Sequence, residues 1–553
     1  MKTIYFLILT LLLMSGQTYS QPISLRTDIT ITKIIQAQKR CARIEFDKVQ
    51  NKLFTLTTKC MLYGIDSVPG MGWKDSLYAD IGDIQIDFPT GMAFKDSTLY
   101  IIGNNWVDTT GTEGIIRGGI LQPNGTRAWY TVMQTDTYPQ ANTFFDHGMS
   151  CIVLNPTGDS LYINSGSRTD HGEVQSNYNT YPGARDVPIT SCILRVPANA
   201  QNLLLHNDSA FLIPYTFCDG TRNEFDMKFL PNGDLIGAEN SGDRDHTDEL
   251  NFLQEGKHFG FPWKMGNDMN PQQFSNYDPN TDLLINHKRK SWQLGYFYND
   301  TTFPPPPPNI TFIDPIQNYG PNGDKFRDTI TGQMMDANDL GISIGSFTSH
   351  RSPVGLIFDN DSLLCNGLTG NGFMLSYMPG ADSLGNTGAV GFGAPADTSG
   401  DMLALRLVKN NATNIYTMQS TRVIYNFDNP SDACMVGNII YVVEYATDTT
   451  ADIWRIEMPV VANCGAALNE WTSTNNELEI FPIPFTNEIN IKCKQCNSPS
   501  SLIIYNADGK ILLSYILTVN ETKINPELTA GIYFAEWICQ NEKMYKMIVR
   551  MRE

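Results

Sequence analysis

The stretch RNEFDMKFLPNGDLIGAEN, Arg222 to Asn240, decides the fold class. An apolar run leads into a Pro-Asn-Gly-Asp turn, and a second apolar run leads out. That is the pattern of a tight antiparallel hairpin. Three copies precede it: CARIEFDKVQNKLFTLTTKCMLYGID (Cys41 to Asp66), FPTGMAFKDSTLYIIG (Phe88 to Gly103) and GMSCIVLNPTGDSLYINSG (Gly148 to Gly166). Two follow: SPVGLIFDNDSLLCNGL (Ser352 to Leu368) and PSDACMVGNIIYVVEY (Pro430 to Tyr445). Hairpins repeated at tens of residues signal a propeller, each hairpin belonging to one four-stranded blade. The chain therefore reads as all-β, with a six-bladed β-propeller as its body. A pair of β-sandwiches is the competing architecture. The longest gap, between the fourth and fifth hairpins, must hold an insertion. It contains Pro304 to Pro308, a stiff exposed loop, because proline fixes φ and lacks an N–H.

Composition narrows the function classes. The 553 residues carry a formal net charge of -19. A duplex binds basic patches, so nucleic acid is excluded as a partner. Lys2 followed by an apolar run from Ile4 to Met14, with Thr18 and Ser20 small at cleavage spacing, reads as a signal peptide over residues 1–20. The run is shorter than the roughly 20 residues of a membrane span, and no later stretch is apolar enough to be one. Eleven cysteines are an odd number. Cys493 and Cys496 form a CxxC without the second pair a zinc ribbon needs, leaving a local disulfide or a contact with Cys539 open. Cys151, Cys192 and Cys434 stand inside apolar strands, as buried small hydrophobes do.

The propeller is expected over residues 21–460, followed by a linker over 461–476. Residues 477–553 alternate strands and turns and predict a small C-terminal β-sandwich. Their motifs are Phe481-Pro482-Ile483-Pro484, then Tyr505-Asn506-Ala507-Asp508-Gly509-Lys510, then Gly531-Ile532-Tyr533, and the basic Lys546 near the end. In order and content this region resembles the C-terminal sorting domain of the type IX secretion system. The resemblance implies passage through the periplasm, recognition by that machinery, and a secreted or cell-surface product. A generic carbohydrate-binding sandwich is the other reading.

Three segments carry chemistry. Asp146-His147 precedes the third hairpin, where a propeller strand enters the central channel. Its imidazole titrates near neutrality and can take a proton from a hydroxyl. Arg222-Asn223 opens the fourth hairpin at the equivalent place and can stabilise charge growing on an oxygen. GAENSGDRDHTDELNFLQEGKHFGFPW (Gly237 to Trp263) then places Glu239, Asp243, Asp245, Asp248 and Glu249 within eleven positions, oxygen-rich enough for a hard cation but without EF-hand spacing. A surface histidine, an inter-blade ion pair and a solvated acidic loop are the plainer readings.

Together these segments resemble the PQQ-dependent glucose and sorbosone dehydrogenases. The carrying residues are Asp146-His147, Arg222-Asn223, Glu239-Asn240-Ser241-Gly242, Asp248-Glu249-Leu250-Asn251 and Gly256 to Trp263. The resemblance implies a sugar substrate losing hydride from its anomeric carbon to PQQ, and an external electron acceptor. It implies His147 as general base and Arg222 as the partner of the quinone oxygen. Asn223, Asn240 and Arg351 would bind PQQ, and Ser241, Gly242, Asp248 and Glu249 would hold calcium. The family's histidine-orienting Asp falls on Ser167, with Asp170 three residues further on. Arg422 is a second candidate for PQQ's carboxylates. A non-catalytic surface propeller binding glycan or protein is the alternative. A calcium-dependent lactonase would need carboxylates from several blades, and the sequence offers one cluster.

Overall fold

A computed structural model describes residues 21–386, 393–460, 478–482, 485–493, 500–506, 510–519, 521–539 and 542–550. The expected signal peptide, the linker and the Cys493–Cys496 pairing lie outside the described residues or their described side chains. The chain divides into two units, residues 1–463 and 464–553.

In the first unit, five of the six hairpins quoted above supply the first two strands of a separate, mainly antiparallel sheet; in the fifth the first strand pairs with Gly372–Ser376, beyond the quoted stretch, and Ser362 to Leu368 form no strand. Those first strands are Cys41–Asp47, Phe88–Lys95, Met149–Leu154, Glu224–Phe229, Pro353–Phe358 and Pro430–Val436. Each touches the next, and the last touches the first, so the sheets close into a ring around an axis. This is the β-propeller arrangement. Closure uses the N-terminal strand Thr30–Ala37, which pairs with Ala451–Glu457 as the outer strand of the final sheet.

The apolar core is divided into wedges between neighbouring sheets. Phe54, Leu62 and Ile101 fill the first, and Ile102, Ile152 and Ile163 the second. Val153, Met227 and Leu253 fill the third, with Cys151 among them, and Ile236, Leu356 and Met374 the fourth. Leu375, Ile440 and Trp454 form the fifth, and Ile44, Val443 and Cys434 the last. Strand alternation explains this: both faces of each sheet meet a neighbour, so both must be apolar. Cys151, Cys192 and Cys434 are buried free thiols.

Polar groups on the inner strands lock the ring. Asp226 accepts the Leu356 N–H at 2.8 Å and Asp432 accepts the Ile44 N–H at 2.9 Å, each joining its sheet to the next. Arg43 crosses the axis. Its guanidinium donates to the carbonyls of Thr90 (2.5 Å), Ser150 (2.7 Å) and Phe225 (2.8 Å) and faces Asp432 at 3.7 Å. One side chain thus ties its own strand to four others and floors the channel mouth above it.

The insertion between Leu253 and Pro353 is mostly irregular, with short paired segments such as Lys325–Arg327 against Met334–Asp336. Pro304 to Pro308 form no strand, as the sequence requires.

The second unit has two antiparallel sheets. Leu478–Phe481, Ile489–Cys493 and Glu521–Ile524 form one, and Ile511–Leu517, Ser500–Tyr505, Gly531–Cys539 and Glu542–Arg550 form the other. Ile480, Ile491, Leu502, Ile504 and the fully buried Trp537 share the core. The Trp537 indole N–H is satisfied by Ser500 Oγ at 2.9 Å.

Candidate functional site at the channel mouth

Strand polarity places the ends of the inner strands and the loops after each second strand at one mouth of the channel. His147, Arg222 and Asn240 all stand at such positions, and the backbone brings them together. Ser167 sits between the first two: its carbonyl accepts the His147 N–H at 3.0 Å, and its N–H donates to the Arg222 carbonyl at 2.8 Å. Gly166 makes this approach feasible, since an added Cβ would stand 2.6 Å from His147 Cβ and 3.1 Å from the Gly148 carbonyl. The Asn240 N–H donates to the Asn223 carbonyl at 3.1 Å. Segments far apart in sequence therefore meet at one end of the channel.

The imidazole is held in a defined state. His147 Nδ1 lies 3.2 Å from the Ser167 carbonyl and 3.4 Å from Ser167 Oγ. A carbonyl only accepts, so Nδ1 carries the proton and Nε2 presents a lone pair. Burial, and next the Arg222 guanidinium, push the pKa of His147 down to about 3. His147 is thus a neutral base over the ordinary pH range, and no described residue hydrogen-bonds its Nε2.

Arg222 commits three of its five N–H groups within the protein. It donates through Nε to the Asp170 carbonyl (2.8 Å), through Nη2 to Asp170 Oδ1 (3.2 Å) and through Nη1 to the Asn240 carbonyl (3.0 Å). Asp170 also meets His171 Nδ1 at 2.8 Å and accepts the Asp243 N–H at 3.0 Å. Burial alone would raise its pKa, but the His171 hydrogen bond and charge, then Arg222, hold it near 2. So Asp170 does not orient His147; Ser167 does, and Asp170 belongs to Arg222 and His171. Gly242 packs against this carboxylate: an added Cβ would stand 3.0 Å from Asp170 Oδ1.

Below the mouth lies an amide layer. Asn223 Oδ1 stands 3.5 Å from both Ser150 Oγ and Asn164 Nδ2. Ser150 is the residue whose carbonyl Arg43 holds, so the axial arginine supports this floor. Asn240 receives the Ser352 hydroxyl at 2.5 Å.

Of the four residues that the resemblance assigns to calcium, Ser241 and Asp248 meet and Glu249 does not join them. Asp248 Oδ1 accepts from Ser241 N and Oγ at 2.8 and 2.6 Å, and Oδ2 accepts from Ser352 N at 2.9 Å. Glu249, the next residue, points to the other face. There it joins Glu224 and Glu239 around Asn251 Nδ2, at 3.0, 2.9 and 2.9 Å. Burial raises the pKa of all three glutamates, Glu224 to about 8. Among the described residues no group of three or more His, Cys, Asp or Glu side chains is arranged to hold a metal ion.

Arg351, assigned to PQQ, and Arg422 are both locked into a box with two aspartates. Arg351 Nη1 bonds Asp397, and its Nη2 bonds Asp401 at 2.5 Å. Arg422 bonds Asp401 at 2.7 Å and Asp397 at 3.2 Å. Arg351 and Asp401 are completely buried. PQQ carries three carboxylates. A trianion at this mouth would have to displace Asp397 and Asp401 or stand unpaired beside them, and either is costly. Lys325 is nearby, donating to the Ala396 carbonyl at 2.8 Å, but it is one cation against three carboxylates. Arg351, nominated for PQQ, already has its charge paired.

Several site groups were not legible in the sequence. Asp397 and Asp401 carry no motif, and neither do Phe144 and Tyr178, which are 82% and 87% exposed on mouth loops. Tyr178 lies in a run, Asn177 to Asn179, with φ of 45°, 54° and 67°. Three successive non-glycine residues in the left-handed region are strained. Asn177 Nδ2 anchors them by donating to the carbonyls of Thr109 (3.1 Å) and Gln140 (2.9 Å).

Comparison with known proteins bears on each unit separately. Residues 479–550 match the family described as Secretion system C-terminal sorting domain. They form a type IX sorting domain, and the chain is exported to the cell surface or secreted. No curated protein matches the chain. Among solved structures, the chain is similar to the PQQ domain of pyranose dehydrogenase from Coprinopsis cinerea in its holo form. The two are 13% identical over 79% of this chain and 97% of that one, with a TM-score of 0.47. The soluble aldose sugar dehydrogenase of Escherichia coli, in its apo form, is 11% identical over 78% and 99%, with a TM-score of 0.45. The PQQ-bound aldose sugar dehydrogenase of Streptomyces coelicolor is 12% identical over 79% and 98%, with a TM-score of 0.43. These are likenesses of fold. No described helix is long and apolar enough to cross a membrane.

Proposed function

We propose that residues 21–460 are an exported carbohydrate-binding propeller, its ligand seated in the mouth basin of His147, Arg222, Asn223 and Asn240. The observation that carries this reading is the pairing of charge. Arg222, Arg351 and Arg422 are each bonded to aspartate. Apart from Lys325, which is held by a backbone carbonyl, the groups left to a ligand are uncharged: the His147 lone pair and the partly exposed amide of Asn240. Such a set suits the hydroxyls of a neutral sugar, each of which both donates and accepts. Exposed Phe144 and Tyr178 on the surrounding loops offer aromatic faces to a sugar ring.

A second reading, oxidation of the same sugar, is favoured by one observation: a base kept neutral beside an arginine. In it His147 would take the proton of the anomeric hydroxyl, the hydride of the anomeric carbon would pass to PQQ, and Arg222 would steady the quinone oxygen that gains charge. Arg351, with Asn223 and Asn240, would face PQQ, and Ser241, Gly242, Asp248 and Glu249 calcium. This second reading requires the Arg351 box to open.

The test is calorimetry of the full chain against a panel of neutral and acidic mono- and oligosaccharides without added cofactor. Saturable heat is expected for at least one sugar and is expected to weaken in His147→Ala. Binding confined to acidic saccharides, or none across the panel, contradicts the first reading.

A further inference from the structure

Among the described residues, the four-stranded sheet of the sorting domain has one margin bridged by a further segment and one margin with no outer partner. The strand Glu542–Arg550 forms one margin. There the Phe485 N–H donates to the Val549 carbonyl at 2.8 Å, so a preceding segment covers it. The strand Ile511–Leu517 forms the other margin and pairs only with Ser500–Tyr505 among the described residues. Its sequence is ILLSYIL.

Natural edge strands are protected by charge, proline, bulges or a covering element, because unpaired backbone groups invite another strand. This one carries no charge and no proline; its one bulge lies at its start, at Leu512, and puts Ile511 on the same face as Ile516. Its apolar side chains also face solvent: Ile516 is 76% exposed and Ile511 56%. The same outward face continues onto the third strand of the sheet, Gly531–Cys539, where Ile532 and Phe534 are 40% and 42% exposed. Register explains the continuity, since Tyr505 pairs with both Ile511 and Phe534. The opposite face, with Leu502, Ile504 and Trp537, is already spent on the domain's own core. The outward face is largely apolar, interrupted by Ser514 and by Glu536, which accepts from the Tyr505 hydroxyl, and an exposed apolar face marks an interaction surface.

We propose that the edge strand Ile511–Leu517, with the apolar face beside it, is the surface by which the secretion machinery takes hold of this chain, through a strand of the machinery that extends the sheet. The occupant follows from the domain's class: a sorting domain is read by the machinery it addresses. An edge offers main-chain hydrogen bonds common to any sequence, while alternate side chains such as Ile511 and Ile516 give selectivity.

The experiment is surface display of the full chain in its own cells, measured by protease accessibility. Ile516→Glu is compared with Ile516→Val, and with Ser514→Lys at a second exposed position of the same strand. Thermal melting of each purified variant reports whether it folds, and sedimentation reports its oligomeric state. The folded charged variants are expected to fall at least about tenfold in displayed protein, as for loss of 1.4 kcal/mol or more of docking free energy. They should accumulate within the cell envelope, while Ile516→Val displays normally. Should Ile516→Glu melt early, Ser514→Lys decides alone. Normal display of a folded charged variant overturns the proposal. So does a charged variant that splits a dimer of the purified chain yet is displayed normally, because the face would then join two copies.

Discussion

The two sides of the channel mouth use the same residue types to opposite ends. On one side His147 keeps an unpartnered Nε2, and Asn240 and Ser241 are partly exposed. On the other, Arg351, Arg422, Asp397 and Asp401 form a closed box in which each carboxylate oxygen receives an arginine nitrogen. The lesson is that charge at a mouth is not by itself a binding site. Paired charge holds loops together, and only what remains unpaired recognises a ligand.

The largest effect expected from breaking this contrast comes from the closed side. Arg351→Met leaves two buried aspartates short of a partner and should destabilise the propeller by about 3 kcal/mol or more. Denaturant titration reads the loss, which should shrink when Asp401→Asn is added.

Next comes pH. The folded pKa of His147, about 3, lies below its unfolded value near 6.5. The unfolded chain therefore binds this proton first, and stability rises with pH across that window. The contribution is complete above about pH 6.5 and is lost as pH falls towards 3. Between pH 7 and pH 5 wild type should lose about 2 kcal/mol more than His147→Gln, other groups cancelling in the comparison. Equal losses would mean that the imidazole is not held neutral.

On the open side, His147→Ala should weaken sugar binding about tenfold while leaving the melting temperature nearly unchanged. The smallest effect is expected for Ser352→Ala, which removes one hydroxyl from Asn240. It should cost about 1 kcal/mol or less in stability and a few-fold in affinity. A larger loss of affinity than for His147→Ala would move the ligand towards Asn240.

These residues also show how far the sequence could be read. Hairpins announced themselves because turn chemistry and strand alternation are local: Pro231 to Asp234 mark a turn whatever surrounds them. His147 and Arg222 could be placed at the mouth because each stands where an inner strand begins. Partners chosen across the fold left no such mark. Asp170 was nearest to hand for His147, yet it bonds Arg222, 52 residues away. Asp248 and Glu249 looked like joint ligands, and strand alternation sends them to opposite faces. Arg351 read as a free cation because Asp397 and Asp401 reach it only when a loop some 50 residues on folds back.

The most direct measurement is a titration of PQQ, with calcium in excess, into the full chain and into an Asp397→Asn/Asp401→Asn variant, followed by quinone absorbance. The charge pairing predicts no saturable change in wild type and a gain of binding in the variant, whose two arginines are released. Stoichiometric PQQ binding by wild type, with turnover of an aldose that His147→Ala abolishes, would contradict it.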